Sequence, residues 1–139
     1  MGLLDFIKRL VAGERGAEFL AENETATPAL FEKCIAALVS EPQEFISISC
    51  DEYGGLVQIS NDGDMIGLNI ADYPSTDFPD ELGIVLPEGS TLVDWEAESF
   101  ARYSVPASES EALASAIDSI FRKLYNSSGS YKVSVTIER

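Results

Sequence analysis

Carboxylates are the residues of this chain best placed to do chemistry. Asp94, Glu96 and Glu98 alternate, and on an extended strand each neighbouring pair stands about 7 Å apart on one face. That separation suits two-carboxylate glycoside hydrolysis, in which one acid protonates the leaving group and the other activates water or attacks. The chain carries 24 acids, so some pair meets this spacing by chance, and a solvated sheet face explains the same residues. Asp62 and Asp64 flank Gly63. With Gly63 at the sixth position of a calcium loop, Gln58 and Ser60 fall where aspartate is needed and Asn69 where a bidentate glutamate is needed, so that motif fails. A loose divalent site at Asp62 and Asp64 is the remaining metal reading, and turn chemistry explains Asn61-Asp62-Gly63-Asp64 without one.

Other chemistries are narrowed by what is missing. The chain has no histidine, which removes the usual general base, the Ser-His and Cys-His nucleophiles and most zinc sites. Cys34 and Cys50 lack CxxC spacing and fall on apolar patterns, where thiols behave as small hydrophobes rather than redox or metal groups. No glycine-rich loop opens a helix, so no nucleotide cradle is expected. No cofactor is implied.

Charge is distributed unevenly. From Cys34 to Ala101 there is no lysine, arginine or histidine, and fourteen of the acids lie there. The net charge of -15 is therefore a property of one segment. Phosphate backbones and anionic membranes are disfavoured as partners, because both are held through lysine and arginine clusters. A basic or amphipathic polypeptide is the partner such a field favours, and solubility is its other use. No apolar run approaches the ~20 residues of a membrane span, and the apolar residues near the start are broken by Asp5, Lys8 and Arg9. A cytoplasmic, reducing location is the expectation.

The 139 residues, 45% of them hydrophobic, suffice for one domain with a core. Leu3, Phe6, Ile7, Leu10 and Val11 recur at helical spacing, followed by Gly13 and Gly16 and a further turn over Ala17 to Ala21. Residues 1–25 thus read as a short amphipathic arm that packs on its own domain or on a second copy. The main domain, 26–139, opens with Thr27 as N-cap and Pro28 at the first helical position, ahead of an apolar stripe from Leu30 to Val39. Ile46, Ile48 and Cys50 alternate with Ser47, Ser49 and Asp51, Leu56 to Ser60 follows Gly54-Gly55, and Met65 to Ala71 follows the Asn61-Asp62-Gly63-Asp64 hairpin. Three antiparallel strands in a meander are expected.

A loop with one helical turn near Phe78 to Glu81 comes next, then short strands at Ile84 to Leu86, Thr91 to Glu96 and Ser99 to Val105. Ser108 and Glu111 suggest a capping box for a helix reaching Tyr125, and Tyr131 to Ile137 alternates as a final strand. The expected class is α+β: an antiparallel sheet with helices packed on one face and a short N-terminal amphipathic helix. If Asp94 and Glu96 face water, Trp95 faces the other way, as an ordinary core tryptophan or as an aromatic anchor on a protein interface rimmed by acids. Tyr53, Tyr73 and Phe78 lie in turns and loops, and with Asp62, Asp64, Asp77, Asp80, Glu81, Asp94, Glu96 and Glu98 around them they are the interface candidates.

The helix from Pro28 to Val39, the meander from Phe45 to Ala71 with Gly54-Gly55-Leu56-Val57-Gln58, the stretch Leu82-Gly83-Ile84-Val85-Leu86-Pro87 and the helix from Ser108 to Tyr125 together resemble the type III secretion chaperone-like superfamily, including the YbjN-like proteins. The resemblance spans roughly residues 27 to 138 and implies a non-catalytic protein that dimerises and binds partner polypeptides. Three expectations follow: an acidic chaperone- or adaptor-like binding module, an immunity protein that blocks a basic toxin such as a nuclease, and a carboxylate-dependent hydrolase or divalent-metal enzyme. The acids should form one uniformly negative side.

Overall fold

The expected alternation produces a sheet of seven strands, every neighbouring pair antiparallel. The computed structural model describes residues 18–40, 45–72, 78–96 and 98–138. The amphipathic stretch Leu3 to Val11 lies outside them. In chain order the elements are β1 (Glu18–Thr25), α1 (Pro28–Ser40), β2 (Phe45–Ser49), β3 (Leu56–Asp62), β4 (Met65–Ala71), the short α2 (Phe78–Leu82), β5 (Thr91–Glu96), β6 (Phe100–Pro106), α3 (Ser110–Ser119), a π-helical turn (Ile120–Leu124) and β7 (Lys132–Glu138). Across the sheet the order is β1-β7-β2-β3-β4-β6-β5. The fold is α+β, and the meander β2-β3-β4 is present.

Three local expectations are corrected. Residues 18–21 are not helical: β1 pairs with β7 from Glu18 opposite Ile137 to Thr25 opposite Lys132, so the sheet begins eight residues before the expected boundary. Ile84 to Leu86 is not a strand, because the Ile84 amide is drawn back to the Pro79 carbonyl at the end of α2 (2.7 Å). Ser108 and Glu111 make no capping box; α3 starts at Ser110, its N-cap position is Glu109, and no side chain caps it. Thr27 does cap α1, accepting the Leu30 N–H at 3.1 Å.

One face of the sheet carries the core. Ile46 and Ile48, Val57 and Ile59, Ile66, Leu68 and Ile70, Ala101, Tyr103 and Val105, and Val133, Val135 and Ile137 alternate toward α1 and α3 and form one cluster with them. α1 contributes Leu30, Phe31, Cys34, Ile35 and Leu38, spaced three and four apart, each worth about 1.5–3 kcal/mol for the larger side chains on full burial. The π turn closes on Tyr125, whose N–H bonds the Ile120 carbonyl (3.2 Å). Around it Phe121 stacks on Phe31 at 6.2 Å and meets Tyr125 at 5.5 Å and Tyr131 at 5.7 Å. Cys34 and Cys50 are buried free thiols.

Both tyrosines bring a hydroxyl inside and satisfy it. Tyr131 donates to Asp118 Oδ1 (2.7 Å), and Arg122 pairs with Asp118 while lying over the Tyr131 ring. The Tyr125 hydroxyl reaches the carbonyl oxygens of Leu56 (2.9 Å) and Ala71 (2.6 Å). Its ring lies where a side chain on Gly55 would stand.

Gly54 and Gly55 both have positive φ, +79° and +104°, so an alanine at either costs about 1–2 kcal/mol in backbone strain. Only Gly55→Ala also drives a methyl into the Tyr125 ring, whereas nothing lies within 4 Å at Gly54. Thermal unfolding should show the larger loss of Tm for Gly55→Ala; equal losses would contradict the packing described. Burial raises the Tyr125 and Tyr131 phenols above their ordinary value and pushes the Cys34 thiol up to about 12. The native chain thus keeps protons that the unfolded chain releases above about pH 9–10, so stability is intact below that window and falls as pH rises through it. Urea midpoints should agree at about pH 7 and 8 and drop by about pH 10.5.

Candidate functional site

The antiparallel order gives the sheet two ends. At one, which we term the upper end, lie the β2–β3 turn, the end of β4, the β5–β6 turn and the start of β7. At the other lie the Asp62–Met65 hairpin and the end of β6. Exposed acids lie at both ends. Asp51, Glu52, Asp72, Glu96 and Glu98 are exposed at the upper end, and Asp62 and Asp64 are exposed at the lower.

The expectation of one uniformly negative side is therefore corrected. The face of the sheet that none of the described helices covers, which we term helix-free, presents Ser47 and Ser49, Gln58 and Ser60, Asn69, Arg102 and Ser104, and Ser134 and Thr136 over its centre, with Asp62 and Glu138 at strand ends and Asp94 and Glu96 on the outer strand. Acids concentrate instead where strands end, because a carboxylate is cheap to solvate in a turn and costly beside the paired backbone of a central strand. Ser47, Ser49 and Thr136 are buried rather than solvated, contrary to a simple half-buried alternation. Gln58 Nε2 donates to Ser47 Oγ (3.0 Å), which settles that hydroxyl.

Asp62 is engaged from across the sheet. Arg102 Nη2 on β6 reaches Asp62 Oδ2 on β3 at 3.1 Å, passing over β4 at Gly67, where a Cβ would meet Ser60, Asp62 and Arg102. Asp62 is thus spent on a cation already present, and the pair is exposed enough to be worth only about 0–1 kcal/mol. Gly63 turns the hairpin at φ +82° with its N–H on Asn61 Oδ1 (3.0 Å), so local turn chemistry suffices for this loop. Among the described residues no group of three or more His, Cys, Asp or Glu is placed to hold a metal ion.

Asp94 and Glu96 share one face of β5, opposite Arg102 and Phe100, as expected. Glu98 does not join them: it sits in the β5–β6 turn at φ 62°, where Ser99 N–H bonds the Glu96 carbonyl (3.0 Å). All three are exposed. Trp95 faces the other side beside Ala101 yet keeps 38% of its surface exposed, which corrects the expectation of a core tryptophan. β5 is the last strand of the sheet and lies too far out to be fully covered. Tyr53 is exposed in the β2–β3 turn, its hydroxyl 3.1 Å from Ser128 Oγ. Asp80 and Glu81 are exposed on α2. Tyr73 and Asp77, and the side chain of Phe78, lie outside the described residues.

At the upper end the helix-free face opens into a depression of about 80 Å³ lined by Leu56, Gln58, Asn69, Ala71, Ser99 and Phe100. Its size fits one side chain, well short of the ~300–1,000 Å³ of a drug-sized ligand site. Three acids adjoin it through the chain: Asp72 follows Ala71 and donates its N–H to the Ser99 carbonyl (2.9 Å), Glu98 precedes Ser99, and Glu96 pairs with Phe100. The depression has an apolar floor with two amides and an aromatic ring, and exposed acids neighbour its lining residues along the chain. An alkyl stem tipped with a cation matches that arrangement. On the helix side of this end Arg122 is held by Asp118, and Lys123 Nζ by the Gly83 carbonyl (2.9 Å).

Sequence reasoning missed Leu56, Gln58, Asn69, Ala71, Ser99 and Phe100 as a group. The alternation of β3 and β4 signals that the first four share the helix-free face, but only the sheet order brings Phe100 beside them. Compared with protein-family models, with curated proteins and with solved structures, the chain finds no match.

Proposed function

We propose that this protein is a non-catalytic binding module, chaperone- or adaptor-like, that takes a cationic segment of another polypeptide at the upper end of its sheet. The observation that carries the reading is the depression over Phe100, Leu56 and Ala71, with Glu96 opposite Phe100 in the sheet and Asp72 and Glu98 exposed next to its lining residues along the chain. A lysine or arginine of the partner lays its stem on the apolar floor and leaves its charge among the carboxylates, where it also lies near the Phe100 ring. The net charge of -15 adds a long-range term that speeds encounter with a basic chain. An inhibitor of a basic toxin would use the same surface, so the two roles share one binding chemistry and differ in the partner's own activity.

Exposure of Asp94, Glu96 and Glu98, with Glu98 in the turn and off the strand face that Asp94 and Glu96 share, favours surface binding over the hydrolase reading. Binding of an oligolysine peptide, followed by calorimetry, should weaken by about tenfold or more between low and moderately high salt. At low salt, Asp72→Asn combined with Glu96→Gln and Glu98→Gln should weaken binding severalfold, while Asp62→Asn with Asp64→Asn at the opposite end should leave it nearly unchanged. Affinity indifferent to salt would contradict the proposal.

A further inference from the structure

We infer that residues 1–17 of this chain cover the β1–β7–β2 half of the helix-free face, with Leu3, Phe6, Ile7, Leu10 and Val11 laid against it as a second helical layer. Burial is the first observation. Ser47, Ser49 and Thr136 keep 0%, 1% and 1% of their surface exposed, although none of the described helices lies over them. Short side chains alone do not explain it, because the serines Ser104 and Ser134 on the same face are only half-buried. The three buried hydroxyl residues all lie on β2 and β7, the strands nearest β1.

The chemistry of this patch asks for an apolar cover. Ser47 Oγ accepts from Gln58 Nε2 and Ser49 Oγ donates to the Ser134 carbonyl (3.5 Å), so both hydroxyls are turned to the sheet. Thr136 Oγ1 is buried without a hydrogen-bond partner among the described residues. A polar cover would give that hydroxyl a partner, whereas an apolar one leaves it as found. Phe19, opposite Thr136 and 37% exposed, and Phe45, two residues before Ser47, flank the patch with apolar surface that the same cover takes.

Residues 1–17 have the reach and the pattern. They lead into Glu18, which stands opposite Ile137 at the edge beside β7. A helix over residues 3–11 is about 13 Å long and neighbouring strands are about 4.8 Å apart, so it spans β1, β7 and β2. Residues 12–17 extend up to about 20 Å, enough to turn the chain back over the face. Lys8 and Arg9 then fall on the side away from the sheet, where water solvates them. The longer of the other stretches outside the described residues are poorer covers: 41–44 reads Glu-Pro-Gln-Glu, and 73–77 leaves β4, three strands from β7. A cover on this half leaves the depression over β3, β4 and β6 accessible, so the inference stands apart from the binding reading.

Thiol labelling of the full-length protein tests the cover. Ser47→Cys and, separately, Ser49→Cys place a small reporter under it, while Cys34 and Cys50, both buried, report that the core stays closed. With iodoacetamide each reporter should label slowly, and Phe6→Glu combined with Leu10→Glu should speed it by about tenfold or more without labelling Cys34 or Cys50. Lys8→Gln with Arg9→Gln, on the outward side, should leave the slow rate unchanged. Where the glutamates open the core as well, Phe6→Ala with Leu10→Ala is read by the same criterion. Fast labelling of the reporters beneath an unaltered arm would overturn the inference. Slow labelling that no arm substitution changes would overturn it too, by assigning the burial to sheet neighbours such as Gln58. Labelling that quickens on dilution, as a dimer dissociates in sedimentation, would make a second copy the cover and equally overturn it.

Discussion

The Tyr125 hydroxyl, bound to the carbonyl oxygens of Leu56 and Ala71, is the interaction on which the upper end of the molecule depends. The β3–β4 register runs from Asp62 opposite Met65 up to Val57 opposite Ile70. One residue further, Leu56 and Ala71 turn both carbonyls to a phenol that belongs to the helical layer. A buried hydroxyl whose single proton is shared by two carbonyls ties the helix end to two strands at once, and leaving it without an acceptor costs about 1–3 kcal/mol. The π turn and the Phe121 contacts set the height of the Tyr125 ring, and the absence of a side chain at Gly55 makes room for it. On the far side of the same two residues lies the depression. Core packing and candidate site are thus two faces of one constraint.

That constraint also sorts the charge. With α1 and α3 taking one face of the sheet and neutral hydroxyls and amides occupying much of the other, carboxylates are left to the strand ends and to the outermost strand. Asp62 is neutralised by Arg102, which crosses β4 where Gly67 leaves space. Asp72, Glu96 and Glu98 sit at the other end, exposed at the end of β4 and around the β5–β6 turn. A field this strong acts over about a Debye length, roughly 8 Å at physiological salt, so steering is local to the end where the acids cluster.

Much of the fold is legible from residue patterns. The Thr27-Pro28 start of α1, the alternation of β2, β3 and β4, the Gly63 hairpin and the final strand all follow from local rules that tertiary contacts did not override. The misses have physical causes. Glu18 to Thr25 carries no clean alternation because two register shifts interrupt it, so its identity as a strand comes from β7 alone. The capping signal at Ser108 failed because the chain leaving β6 keeps turning, with the Glu109 N–H on the Pro106 carbonyl, before α3 begins. Of the candidate site, Glu96 and Glu98 were accessible to sequence reasoning, whereas the exposure of Trp95 and the depression were not. The depression is assembled from β3, β4 and β6, and no spacing along the chain encodes which strands become neighbours.

The central claim is that a cation is received at the upper end of the sheet and not over the acidic surface at large. Amide chemical-shift mapping with an oligolysine peptide at low salt tests it most directly. The account predicts the largest shifts at Gln58, Asn69, Ala71, Ser99 and Phe100. Shifts centred on the Asp62–Asp64 hairpin or on α1, with those five residues unmoved, would contradict it.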